Sequence, residues 1–122
     1  MKQGDIIYID FDPALGREQA GRRPATVISQ TLYNDKRNLL WVCPISTTVK
    51  PLRFLIELDD RTKTQGAIIA EQVRTIDIRV RKCHFVESLP KDLLEKVLDA
   101  VSVIIAPEED EPEDEEAGNT IC

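Results

Sequence analysis

The period of the apolar residues changes once along this chain. Up to Val86, short apolar and β-branched runs recur about every ten residues and end in Gly, Pro, Asn or Asp clusters, the pattern of strands joined by turns. Over residues 90–105 the spacing becomes three and four, and Leu93, Leu94, Val97, Leu98, Val101, Ile104 and Ile105 fall on one face of a helix. The first regime predicts strands at 6–9, 25–31, 39–45, 54–58, 67–70 and 83–86, with turns at Tyr33-Asn34-Asp35-Lys36, Asp59-Asp60 and Gln65-Gly66. The second predicts a single helix. Pro90 suits its first turn, Asp92 and Glu95 suit its positive end, and Ser88 is its expected cap; it ends before Pro107. Together they imply a mainly β domain, a small twisted sheet or half-open barrel with one C-terminal amphipathic helix.

Charge divides the chain differently. Eight acids and no base lie between Glu108 and Glu116; of 22 acids, 14 remain to face all 16 Lys and Arg in residues 1–107. The body is thus about +2 and does not exclude a polyanionic substrate, whereas the net charge of −6 describes the tail. The expected organisation is one domain over residues 1–106 and an acidic, disordered extension over 107–122, which has too little apolar surface to bury. Cys43, Cys83 and Cys122 stand far apart and His84 is the only histidine, which supports neither a disulfide framework nor a zinc site. No cofactor is expected. The N-terminus turns polar at once and no apolar run reaches membrane-spanning length, so the expected compartment is a reducing cytoplasm.

Residues 13–24 are polar, carry Gly16, Gly21 and two prolines, and read as a long loop, a feature that in small domains is commonly functional. Gly4-Asp5-Ile6-Ile7-Tyr8, Asp12-Pro13 and the run Gly16-Arg17-Glu18-Gln19-Ala20-Gly21-Arg22-Arg23-Pro24 strongly resemble the opening of MazF, PemK, Kid and ChpB toxins. The resemblance continues through Val42-Cys43-Pro44-Ile45-Ser46-Thr47 and Gly66-Ala67-Ile68-Ile69-Ala70-Glu71-Gln72-Val73-Arg74-Thr75-Ile76-Asp77 and covers residues 4–105. It implies an SH3-like, CcdB-like half-open barrel that forms homodimers, cleaves single-stranded RNA at short sequences without a metal, and is neutralised by a MazE-like antitoxin whose extended segment covers the RNA groove.

Metal-free cleavage of RNA uses the 2′-hydroxyl as nucleophile and leaves a 2′,3′-cyclic phosphate and a 5′-hydroxyl. The enzyme must accept a proton, stabilise the phosphorane and protonate the leaving group. Arg23 matches the family's catalytic arginine, and its planar fork suits a phosphate that gains charge. Ser46 stands where the family carries a catalytic threonine, with Thr47 as the rival hydroxyl. Glu71 matches the acid proposed as general base in the Kid branch; an ion pair with Arg74 or Arg23 is the structural alternative. The Kid-type arginine is Ile69 here and the Kid-type loop histidine is Arg17, which favours chemistry centred on Arg23 and Ser46. Arg17, Gln19, Thr47, Gln72 and Arg74 are the expected RNA contacts. Arg79, Arg81 and Lys82 read as a solvated strand face, with tracking of the phosphate backbone as the alternative, His84 as an outer-face residue, and Trp41 and Phe54 as core. Two other readings fit the same fold: a CcdB-like gyrase-binding toxin, whose C-terminal Trp-Gly-Ile is absent from Asn119-Thr120-Ile121-Cys122, and a non-catalytic RNA-binding barrel.

Overall fold

A computed structural model describes residues 1–10, 21–48 and 54–110. Within them the chain forms β1 (Asp5–Asp10), β2 (Arg22–Val27), α1 (Thr31–Arg37), β3 (Leu39–Ser46), β4 (Leu55–Glu57), β5 (Ala67–Ile69), β6 (Arg74–Asp77), β7 (Cys83–Ser88) and α2 (Lys91–Ile105). All pairings are antiparallel. The order is β4-β5-β3-β2-β1-β7, with β6 also on β3, so the sheet is open rather than a closed barrel. Among the described residues no helix is long and apolar enough to cross a membrane.

Strand β3 organises this sheet. One side pairs with β2 through Val42, Cys43 and Pro44; the other takes β6 along Leu39 to Val42 and then β5 at Ile45 and Ser46. Pro44 falls between those two partners. A proline has no N–H for a ladder and is tolerated where one flank lacks a strand, so Pro44 marks the point where β3 changes neighbours. The pleat sends alternate residues to two cores. Ile6, Cys43 and Ile45 join Ile56, Ile68, Leu93 and Val97, while Ile7, Ile9, Ala25, Val27, Leu40, Val42 and Ile76 form the second cluster.

Helix α2 follows its predicted span, and Leu93 and Val97 are buried with Leu94, Leu98 and Val101 packed alongside. The apolar stripe outruns the core: Ile104 and Ile105 remain exposed, as does Val103. Ser88 is not the cap, because it is the last residue of β7; Pro90 takes the cap position without a side-chain bond and its carbonyl accepts the N–H groups of Leu93 and Leu94. Asp92 does lie in the first turn, and there it also receives the Arg61 guanidinium at 2.8 and 3.0 Å, which ties the β4–β5 connection to the start of the helix.

The predicted second strand stops at Val27 rather than at residue 31, and the predicted turn around Tyr33 to Lys36 is helix α1. Only Asn34 of this helix is buried, so no apolar periodicity announced it. Its amide donates to the carbonyls of Met1 (3.1 Å) and Ser29 (3.2 Å), and its side-chain oxygen accepts a short bond from the Ser29 hydroxyl. Asn38 ends the helix in the left-handed region, φ 54°, which asparagine tolerates. Strand β6 was likewise unannounced, since Arg-Thr-Ile-Asp contains one apolar residue. Phe54 packs half-buried against the core as expected. Trp41 does not, because its position in β3 faces outward: it is 42% exposed and bonds the Tyr33 hydroxyl through Nε1 at 3.1 Å.

Replacing Asn34 by Ala removes these three bonds and takes the amide donor from the half-buried Met1 and Ser29 carbonyls. Asn34→Ala is expected to lower the unfolding free energy by about 2–4 kcal/mol with an unchanged denaturant slope. Urea denaturation followed by circular dichroism measures it; a change within about 0.5 kcal/mol would show that α1 is held by other contacts.

Candidate active site

The register of β2 against β3 pairs Ala25 with Pro44, and continuing it by two residues along each antiparallel strand sets Arg23 across from Ser46. Arg23 is therefore a strand residue, half-buried at the start of β2, and not the exposed loop arginine expected from its neighbouring proline. Its Nη1 donates to Ser46 Oγ at 3.3 Å. Ser46 is only 3% exposed. Its hydroxyl also accepts the Thr48 backbone N–H at 3.2 Å and lies 3.2 Å from Thr48 Oγ1. A hydroxyl offers two lone pairs and one proton, so with both lone pairs taken by N–H donors the Ser46 proton points to Thr48. Thr48 escaped the sequence reading; its only signal was a third hydroxyl in the run Ser46-Thr47-Thr48. Thr47 lies just beyond β3 and is exposed.

Gly66 supports this arrangement from below. It precedes Ala67, the β5 partner of Ser46, at φ +118°, and a Cβ there would lie 2.5 Å from the Ser46 carbonyl oxygen. Only glycine allows β5 this approach. In the sequence Gly66 reads as an ordinary turn residue.

The remaining predicted residues are spread along β3. Arg74 stands opposite Val42 on β6, on the face shared by Ser46 and Arg23, but four β3 residues, roughly 13 Å, from Ser46. Gln72 is half-buried and its backbone N–H closes the turn onto Ile69 at 3.2 Å. Glu71 is not a strand carboxylate: it follows β5 in a turn, exposed, and no ion pair to Arg23 or Arg74 forms among the described residues. Arg17 and Gln19 lie outside the described residues.

The three basic residues expected on a strand face occupy the turn between β6 and β7 instead. Arg79 pairs with Asp77 at 3.1 Å, and that hydrogen-bonded guanidinium holds the Asp77 carboxyl below its usual range. Arg81 Nη1 crosses to the Asp10 carbonyl at 3.0 Å. Burial pushes the Cys43 thiol up to about 12, so it stays protonated at neutral pH and is no nucleophile. His84 is exposed on β7, as expected. Among the described residues no three His, Cys, Asp or Glu side chains gather as metal ligands do.

Residues 2–105 match a family described as "PemK-like, MazF-like toxin of type II toxin-antitoxin system". "Endoribonuclease toxin MazF" of Escherichia coli (strain K12) is 34% identical over 102 residues, covering 84% of this chain and 91% of the relative. Among solved structures, MazF from Deinococcus radiodurans superposes with a TM-score of 0.82 at 29% identity over 88% of this chain and 97% of the other. A MazE-MazF complex from the same organism gives a TM-score of 0.77 at 27% identity over 88% and 98%. The match over nearly the whole body, on a sheet that sets Arg23 against Ser46, places this chain in the PemK-like, MazF-like family of type II toxin-antitoxin toxins.

Proposed function

We propose that this chain is an endoribonuclease toxin that cuts single-stranded RNA by attack of the 2′-hydroxyl on the adjacent phosphate, without a metal, and leaves 2′,3′-cyclic phosphate and 5′-hydroxyl ends. The observation that carries this reading is the bond from Arg23 to Ser46. Ser46 holds one arm of the guanidinium, and Thr48 braces the Ser46 hydroxyl. A scissile phosphate entering beside them exchanges one neutral acceptor for a charged one, and the exchange gains strength as the phosphorane accumulates charge. Arg23 stays protonated throughout, so its role is electrostatic. The Ser46 proton, directed to Thr48, is free to turn toward a phosphate oxygen. Glu71, exposed in its turn, is the proposed proton acceptor, and a Glu71→Gln variant with an unaltered pH–rate profile would remove it from that role. Arg74 on the same face, with Gln72, Thr47, Gln19 and Arg17, is proposed to hold the flanking nucleotides.

The partners follow from the same family. The Deinococcus toxin was solved with MazE, and an open sheet leaves edges to which an extended antitoxin segment adds as a strand; we propose a MazE-like antitoxin for this chain, which acts in the cytoplasm. A homodimer is supported by apolar surface without a neighbour among the described residues: Ile104 at 46% and Ile105 at 71% exposure prolong the packed face of α2.

Arg23→Ala is expected to cut the cleavage rate about 10²- to 10³-fold with an intact fold, measured on a long unstructured RNA. Ser46→Ala should lose activity while Ser46→Thr keeps or raises it; if Thr47→Ala is the damaging change, the hydroxyl is misassigned. Products formed equally in EDTA should carry cyclic-phosphate ends, and a 2′-deoxy substitution at the cut should block the reaction; cleavage of that substrate would make water the nucleophile. For the dimer, sedimentation equilibrium should give the mass of two chains, and Ile104→Glu with Ile105→Glu the mass of one.

A further inference from the structure

Arg22 and Arg23 are neighbours on β2, and the pleat turns them to opposite faces. Arg23 faces Ser46. Arg22 lines a separate groove of about 620 Å³ with Tyr8, Asp10, Lys82 and His84, within the roughly 300–1,000 Å³ that ligand sites occupy. Tyr8 on β1 and His84 on β7 are direct cross-strand partners, and their rings stack at 5.7 Å with 30° between the planes. Both are solvent-accessible, Tyr8 at 38%. The Tyr8 hydroxyl donates to the Arg22 backbone carbonyl at 3.4 Å, which ties the ring to the start of β2. Arg22 and Lys82 are exposed, and among the described residues neither guanidinium nor ammonium makes an ion pair.

We infer that this groove is a second RNA subsite: a base stacks on the Tyr8–His84 pair and the phosphates beside it pair with Arg22 and Lys82. Exposed aromatic planes beside unpaired cations are the composition of a single-strand platform, since every base has a face to stack and every linkage a charge. An acidic peptide would use the cations and leave the rings idle. Because Arg22 and Arg23 adjoin, a strand rounding the start of β2 meets the cleavage face and the groove within a few nucleotides, which makes the groove a holder of flanking RNA. The choice of RNA as occupant rests on the nuclease reading, while the groove itself does not.

The test is binding of the full-length protein to a fluorescent 12-mer of deoxyuridine, a probe that keeps bases and phosphates but lacks the 2′-hydroxyl and stays uncut. Tyr8→Leu should weaken binding roughly 5- to 100-fold and Tyr8→Phe restore it. Arg22→Ser with Lys82→Ser, two surface changes, should reduce the slope of log affinity against log salt by about 1.4, at ~0.7 per phosphate on a single strand. Wild-type affinity and slope in both variants would overturn the subsite. Loss of affinity for a 12-residue polyglutamate peptide with unchanged affinity for the 12-mer would overturn it in favour of an acidic protein segment. Cleavage of RNA by the wild type is scored separately: a protein that binds through the groove and cuts nothing refutes the nuclease reading alone, and one that cuts while both variants bind as wild type refutes the subsite alone.

Discussion

Eight residues of one strand carry most of this architecture. Strand β3 is hydrogen-bonded to β2 along one side and to β6 and then β5 along the other, and the exchange of partners occurs at a proline. The absence of an N–H at Pro44 forbids a continuous ladder on that flank, so β5 and β6 become two short strands joined by a turn instead of one long strand. That turn carries Glu71 and Gln72, and the break leaves the end of β3 with Ser46 at the mouth of the sheet.

The active-site geometry is a consequence of register. A one-residue slip between β2 and β3 would rotate Arg23 to the opposite face and bring Arg22 to Ser46. The register is held by buried pairs on both faces: Ala25 and Val27 face the second core with Val42, and Cys43 faces the first. Hydrophobic burial, worth roughly 25 cal/mol per Å², therefore positions a charged group that contributes little packing itself. Gly66 adds a local condition, because β5 approaches Ser46 more closely than any side chain at that position would permit.

The polar network around the core is asymmetric in worth. Asn34 is buried and its amide bonds the half-buried Met1 and Ser29, so its bonds resist loss. Arg61, bridging Asp59 and Asp92, is solvent-exposed, and its pairs are screened; they orient the start of α2 more than they stabilise it. The same contrast separates Arg79, paired with Asp77, from Arg22 and Lys82, which form no ion pair among the described residues and, with Arg81, outnumber the single carboxylate of Asp10 in the groove.

The sequence by itself determined the class of the fold, the helix α2 and the family motif with Arg23 and Ser46, because a change of hydrophobic period and an ordered run of motif residues are local, one-dimensional signals. It missed α1, whose buried residue is an asparagine satisfied by Met1 and Ser29, and β6, which pairs through its backbone and buries one side chain; neither writes a period into the chain. It placed Trp41 inside because an aromatic in an apolar strand counts the same on either face until a partner strand sets the direction. Only tertiary pairing brought Arg23 from a presumed loop into β2 beside Ser46, added Thr48 and Gly66, and set Glu71 apart in its turn, since contacts across 20 residues or more depend on register, and register is a property of two strands together.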